Sequence, residues 1–117
     1  MKTRKYNIKI AQGSSYSRTI YIVYYLQGVK TPVNLSAYTA QAEIRLQPSD
    51  TNVEAEIACV IDAVNGTITI SLTNTQTLAL TNNHYFWDLF ITSSTDRIQV
   101  MYGEVFVNPE ITETIGG

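Results

Sequence analysis

Apolar and polar side chains alternate with a period of two along most of the chain. The clearest case is residues 39–47, where Ala40, Ala42, Ile44 and Leu46 fall on one side and polar residues on the other. This alternation is typical of a strand with one buried face, whereas an amphipathic helix repeats every 3.6 residues. Several of these residue types also favour a helix, but the strict alternation and the proline that follows favour a strand.

Other segments with the same pattern are separated by turn residues, and we predict each of them to be a strand. They are residues 6–10, 19–26, 54–61, 67–73, 84–92 and 97–107. The segment 19–26 is apolar on both faces, which predicts a central strand or a strand whose second face is covered. In residues 97–107 two alternation phases compete, and a β-bulge near Gly103 would reconcile them.

Two local signals lie between these strands. Asn65-Gly66 predicts a type I′ hairpin, because both central residues of that turn need positive φ. Asn74 is a candidate cap for a single helical turn in which Leu78 points inward.

Together these patterns predict an all-β fold, an immunoglobulin-like two-sheet sandwich of seven to eight antiparallel strands. A closed barrel is the alternative. The 117 residues suit one domain, with a core of about residues 4–109 and a C-terminal tail of residues 110–117. We expect the centre of the core to contain Ile44, Leu72, Trp87 and Leu89, which lie on the inward phase of the clearest strands.

Charge and hydropathy limit the partners. Charged residues make up 15% of the chain against a typical value of about 25%. Either part of the surface is covered by another molecule, or Thr, Ser, Asn and Gln supply the solvation. The net charge is −2. The four basic residues near the N-terminus are better explained as charges that keep a strand edge from pairing than as a surface that binds nucleic-acid phosphates. No apolar run approaches the ~20 residues of a membrane span, and no signal peptide is evident. We therefore expect neither a nucleic acid nor a membrane as partner.

Few residues of the chain could take part in catalysis or metal binding. His84 and Cys59 are the sole histidine and cysteine, so the sequence has neither zinc-ligand spacing nor an intrachain disulfide. A catalytic triad would require His84 beside a nucleophile and a carboxylate, and the carboxylates are scattered. Asp88 would need a partner such as Arg18 or Arg45 if it were covered. We expect a non-enzymatic protein with no cofactor and no metal.

Aromatic residues are more informative, since the chain has eight tyrosines. Tyrosine is enriched at protein interfaces. The candidate interface residues are Tyr16, Tyr21, Tyr25 and Tyr38, with Ile111 and Ile115 in the tail. The alternatives are core or sheet-face tyrosines, because tyrosine favours strands, and a sugar-stacking platform.

Five motifs in order carry a resemblance to a known family. They are QGSSYSRTI at 12–20, PVNLSAYTAQAEIR at 32–45, GTITISLT at 66–73, YFWDL at 85–89 and GEVFVNPE at 103–110. The chain resembles small immunoglobulin-like domains of tailed bacteriophages, including the N-terminal domain of baseplate upper proteins and related domains of tail-fibre and virion proteins. Asn34 and Ala37 replace the Asp and Gly that are usual in the second motif.

The resemblance implies a structural component of the virion, made in the cytoplasm of the host bacterium. It would dock in the tail, baseplate or fibre-attachment region, on other virion proteins and on copies of itself. The resemblance implies no catalytic residue. The alternatives are a capsid decoration (cement) protein and a carbohydrate-binding module that recognises host glycans.

Overall fold

The computed structural model describes residues 3–109, so the tail and the interface candidates Ile111 and Ile115 lie outside the described residues. The described part contains ten strands and one short helix. The strands are β1 (Arg4–Lys5), β2 (Ile8–Ala11), β3 (Tyr16–Tyr21), β4 (Val23–Leu26), β5 (Val29–Pro32), β6 (Thr39–Arg45), β7 (Ala55–Asp62), β8 (Thr67–Leu72), β9 (His84–Thr92) and β10 (Arg97–Asn108), and the helix is α1 (Asn74–Leu78).

The strands form a two-layer sandwich whose layers share β7. One layer has the order β1/β2, β10, β9, β6, and the other contains β8 and β3. The first half of β7 pairs with β6, as in Ala42 opposite Ile57, and the second half pairs with β8, as in Ala58 opposite Ser71. The pairing of β6, β9 and β10 on one side and β3, β8 and β7 on the other follows the immunoglobulin-type arrangement. The all-β sandwich predicted from the sequence is therefore confirmed.

Strand direction differs from the prediction, because the sheet is mixed and not wholly antiparallel. Both β1 and β2 run parallel to β10, with Arg4 opposite Met101 and Ile8 opposite Val105. Parallel neighbours need a long connection, and here almost the whole domain lies between them in the sequence. Alternation of side chains shows that a segment is a strand, but it carries no information about the direction of its neighbour.

The core is built from the inward-facing residues of both layers. Ile44, Leu72, Trp87 and Leu89 are buried, with exposed fractions of 0, 2, 3 and 0%. They belong to one apolar cluster that also includes residues of β2 and β10. Burial of apolar side chains at this level is the main source of stability in a domain of this size.

The first predicted strand, residues 6–10, begins two residues later than predicted, because Tyr6 and Asn7 form a break between β1 and β2. The carbonyl oxygen of Tyr6 accepts a hydrogen bond from the indole Nε1 of Trp87 at 2.8 Å, and Asn7 Oδ1 accepts from the Glu104 backbone N–H at 3.1 Å. Gly103 makes this possible, because a β-carbon there would collide with the carbonyl group of Tyr6. The break between β1 and β2 therefore satisfies the polar atom of a buried tryptophan.

The β-bulge in β10 lies at Val100, three residues before the predicted position. Gln99 is opposite Phe90 and Met101 is opposite Leu89, so one residue is inserted between them. The insertion changes the alternation phase, which is why both phases are visible in the sequence.

The predicted hairpin at Asn65-Gly66 is present and joins the antiparallel strands β7 and β8, but its turn is not of type I′. Strands β7 and β8 are joined by the four residues 63–66, in which Gly66 has a φ of +66° but Asn65 does not have positive φ. The two-residue turn with positive φ at both positions is Gln27-Gly28, at +51° and +80°, which joins β4 to β5.

The short helix is capped by Thr73 and not by Asn74. Thr73 Oγ1 accepts from the Gln76 backbone N–H at 3.1 Å, and the Gln76 side chain accepts from the Thr73 N–H at 2.9 Å. This reciprocal pair is a capping box. The inward residue is Thr77, which is fully buried, while Leu78 is 43% exposed.

Candidate interaction surface

Strands β3 and β4 are one extended stretch of chain, residues 16–26, which changes partner at Ile22. The Ile22 N–H donates to the Gly66 carbonyl at 2.7 Å, and the Ile22 carbonyl accepts from the Val33 N–H at 2.9 Å. In an antiparallel ladder the N–H and C=O of one residue point to the same side. Strands β8 and β5 therefore lie on the same side of residues 16–26, one after the other.

The other side of residues 16–26 is an open edge. No strand among residues 3–109 pairs with it. Main-chain groups alternate in direction along a strand, and Ile22 points to the paired side. The N–H and C=O groups that face the open edge are therefore those of the alternate residues. They belong to Ser17, Thr19, Tyr21, Val23 and Tyr25.

The β4–β5 hairpin continues this edge and exposes apolar side chains on both faces. The exposed fractions are 47% for Tyr24, 67% for Tyr25, 58% for Leu26 and 64% for Val29. Leu26 is opposite Val29, and Tyr25 is opposite Lys30, which is the hairpin's sole charged residue. Burial of both faces was expected from the sequence, and within residues 3–109 no element covers either face.

One face of the hairpin meets the outer face of β3, β8 and β7 at a concave corner. The resulting groove has a volume of about 610 Å³. Apolar atoms come from Tyr21, Val23 and Val60, and opposite charges come from Lys30 and Asp62. The rest of its lining consists of one proline, three threonines and one asparagine. The corner is therefore weakly charged and suits a polypeptide segment.

The structure separates the tyrosines that were predicted as interface residues. Tyr21 and Tyr25 are about two-thirds exposed and lie on the open edge. Tyr16 and Tyr38 are half-buried and pack against the core cluster. Burial, reinforced by the neighbouring Tyr6 phenol, raises the pKa of Tyr16 to about 12 against the pull of Arg18. Tyr16 and Tyr38 are therefore less available for docking in the isolated chain.

Sequence reasoning did not identify Tyr24, Leu26 and Val29 as surface residues. The available signal was the apolar character of both faces of residues 19–26, followed at once by Gln27-Gly28. A two-residue turn between apolar pairs indicates a hairpin.

A second outer face, on β6, β9 and β10, mixes charged and aromatic residues, and its Tyr102 and Phe106 are 43 and 41% exposed. Asp88 lies directly between Glu43 and Tyr102. Burial and then the charge of Glu43 raise the pKa of Asp88, while a Gln99 hydrogen bond, Arg45 and Arg97 oppose the shift. Of the two partners suggested by the sequence, Arg45 is present near Asp88, whereas the Arg18 guanidinium lies 4.7 Å from the centre of the Tyr6 ring.

The sole histidine and cysteine are used in packing and pairing. His84 Nε2 lies 2.7 Å from Glu104 Oε1, and its ring stacks on Phe106 with 5.3 Å between centroids. Cys59 is half-buried, and burial raises the pKa of its thiol, which disfavours the thiolate. Residues 3–109 contain no group of three or more His, Cys, Asp or Glu side chains that could hold a metal ion. Over the same range no helix is long and apolar enough to cross a membrane.

Comparisons with known proteins give structural similarity without a sequence match. No family model matches the chain, and no curated protein matches its sequence. Among solved structures, the chain is similar to the N-terminal domain of phage TP901-1 ORF48, with 14% sequence identity and a TM-score of 0.40. The alignment covers 92% of this chain and 99% of that chain. The strand pairing described above establishes the sandwich independently of this similarity.

Proposed function

We propose that this chain is a structural component of a tailed-phage virion, and that it docks in the tail, baseplate or fibre-attachment region by protein–protein contacts. The family is suggested by the five ordered sequence motifs. The mode of action is suggested by the open edge of residues 16–26 and by the β4–β5 hairpin. Both features bind neighbours and need no catalytic group.

The observation that carries this proposal is the exposure of four large apolar side chains on one hairpin. Tyr24, Tyr25, Leu26 and Val29 are each between 47 and 67% exposed. Tyr24, Leu26 and Val29 share one face of the hairpin and Tyr25 lies on the other, and exposed apolar side chains grouped in this way mark an interaction site more often than a free surface. The core already contains residues of both layers without the hairpin, so these side chains are available for another molecule.

Protein docking fits these aromatic residues better than sugar stacking. Trp87, the sole tryptophan, is 3% exposed and so offers no stacking surface. Tyr21 and Tyr25 share a face but are four residues apart, which is roughly 13 Å along a strand. Tyr24 points to the opposite face of the hairpin. No pair of these rings can hold a single pyranose between them.

Immunogold electron microscopy of particles from the phage that encodes the chain tests this proposal. Antibodies against the purified chain should label the tail, baseplate or fibre-attachment region. Label distributed over the head would instead identify a decoration protein. Particles without label would overturn the virion assignment, and binding of the pure chain to a host-glycan array would favour the carbohydrate-binding alternative.

A further inference from the structure

The open edge of residues 16–26 lacks the devices that normally keep a strand edge from pairing. Natural edge strands are protected by charges, especially lysine, by proline, by bulges or by short length. This edge runs for eleven residues, contains no proline or lysine, and has Arg18 as its one charged side chain. Its pairing with β8 and β5 shows no bulge. Such an edge is a template for another strand.

We propose that the occupant of this edge is the same edge of a second copy, paired antiparallel about a two-fold axis at Tyr21. The proposal goes beyond the virion assignment and does not depend on it, because it concerns the pure chain in solution. It specifies the surface, the symmetry and the register of the contact.

The register follows from the residues whose main-chain groups face the edge. Five consecutive alternate residues do so, from Ser17 to Tyr25, and Tyr21 is the middle one. A two-fold axis at Tyr21 pairs Tyr21 with its symmetry mate, Thr19 with Val23 and Ser17 with Tyr25. A shift of two residues in either direction leaves at least one of the five unpaired, so the central register makes the most hydrogen bonds.

Side-chain chemistry is compatible with this register. On the outer face, tyrosine meets tyrosine and a β-branched threonine meets a valine, which are favourable cross-strand neighbours. On the other face, Arg18, whose guanidinium lies over the Tyr6 ring of its own chain, would be opposite the uncharged Tyr24 of the second copy. The two Arg18 residues are then six positions apart.

The parallel alternative is less favourable. In-register parallel pairing would place Arg18 beside Arg18 of the second copy, and like charges in neighbouring positions destabilise a sheet. A closed two-fold contact is also the commonest arrangement in homo-oligomers. The antiparallel dimer therefore pairs the main-chain groups of the edge and keeps the two Arg18 side chains apart.

Disulfide trapping tests the register directly. In a Cys59→Ala background, Tyr21→Cys places two thiols opposite each other, at a Cα separation of about 5.5 Å for a hydrogen-bonded pair, which is within disulfide range. We expect rapid formation of a covalent dimer in mild oxidant. The matched control is Ser17→Cys in the same background, since its symmetry mate would be eight positions away. That variant should stay monomeric on non-reducing gels.

Sedimentation velocity tests the contact without a covalent bond. The unmodified chain should dimerise in a concentration-dependent manner, and Tyr21→Lys should weaken the dimer at least tenfold by placing two lysines opposite each other. Val53→Lys is the control, because Val53 is 37% exposed in the loop between β6 and β7, outside both the edge and the groove. Circular dichroism of each variant establishes that it is folded.

Three results would overturn the proposal. These are an unmodified chain that is monomeric at 100 µM or so, a dimer that Tyr21→Lys leaves intact, or equal trapping of Tyr21→Cys and Ser17→Cys. A monomeric chain that still labels phage tails would reject this dimer and leave the virion assignment standing. A chain that dimerises as proposed but is absent from particles would support this dimer and reject the virion assignment.

Discussion

The indole nitrogen of Trp87 donates a 2.8 Å hydrogen bond to the carbonyl oxygen of Tyr6, across 81 residues of sequence. This bond ties the entering chain to the buried centre of β9. In a regular parallel ladder the Tyr6 carbonyl would accept from the Glu104 N–H, and Asn7 Oδ1 accepts that hydrogen instead. The N-terminal strand is therefore positioned by a core side chain as well as by its ladder.

Replacement of Trp87 should separate its packing from its hydrogen bond. We expect Trp87→Ala to lower the free energy of unfolding by about 3–5 kcal/mol, as for other buried aromatic truncations. Trp87→Phe keeps an aromatic ring but leaves the Tyr6 carbonyl without its donor, which should cost about 1–3 kcal/mol. Urea denaturation of both variants measures the two losses. A Trp87→Phe variant as stable as the unmodified chain would show that the hydrogen bond contributes nothing.

Alanine at two positive-φ glycines should have different costs. Gly28 and Gly66 both have positive φ, but a β-carbon at Gly28 meets no atom within 4 Å, while one at Gly66 would lie 2.7 Å from the Val33 carbonyl oxygen. Gly28→Ala should cost about 1–2 kcal/mol for the left-handed conformation alone. Gly66→Ala should cost a further 1–3 kcal/mol or so for overpacking against main chain. Thermal unfolding of the two variants gives the comparison, and similar midpoints would contradict it.

Alkaline pH should destabilise the fold through Tyr16. Its pKa is about 12 in the folded chain and 10.0 in the reference state. Between these values the unfolded chain loses the phenolic proton while the folded chain retains it, so stability falls as the pH rises from about 10 to 12. Tyr16→Phe should reduce this loss.

Neutral pH provides the reference for the Tyr16 experiment. Within residues 3–109 the buried Tyr16 hydroxyl makes no well-formed hydrogen bond, although the Tyr6 phenol lies near it, so its removal should leave stability at pH 7 unchanged or slightly higher. Urea denaturation at pH 7 and pH 11 tests both statements. A large loss of unfolding free energy in Tyr16→Phe at pH 7 would show that the hydroxyl makes a hydrogen bond that stabilises the fold.

Acidic pH should have the opposite effect through Asp88. Burial and Glu43 raise its pKa above 3.8 in the folded chain. Between the reference and folded values the folded chain holds the proton more tightly, so the contribution of Asp88 to stability improves as the pH falls through its folded pKa. Asp88→Asn should be more stable than the unmodified chain at pH 7, and the difference should shrink on acidification. Asp96→Asn, at an exposed turn, is the control for the loss of one negative charge.

Local alternation was sufficient to predict the strands that pack on the core. Residues 84–92 were predicted as a strand with Trp87 and Leu89 inward, and β9 spans His84–Thr92 with both side chains buried. Residues 39–47 became β6, which ends two residues earlier at Arg45. Each of these segments has one face that must be buried, and that burial determines which of its side chains point inward.

Features that depend on distant partners were not predictable in the same way. The φ of Gly66 arises in a four-residue loop whose main chain is held by Ile22 and Leu35. The parallel direction of β2, the bulge at Val100 and the partner change at Ile22 all depend on pairing between remote segments. The sequence showed that residues 19–26 are apolar on both faces, but only the topology shows that one of their sides is open.

The β4–β5 hairpin and its edge are the proposed docking surface, and a competition for incorporation into particles tests this role most directly. Cells infected with the encoding phage would express equal amounts of the unmodified chain and a Tyr25→Lys, Leu26→Lys variant, and mass spectrometry of purified particles would give their ratio. Both side chains are more than half exposed, so the variant should fold normally. Val53→Lys, at a 37% exposed position in the loop between β6 and β7, serves as the control outside this surface. We predict at least tenfold depletion of the hairpin variant and none of the control; particles that contain both chains in the input ratio would contradict the docking role of this surface.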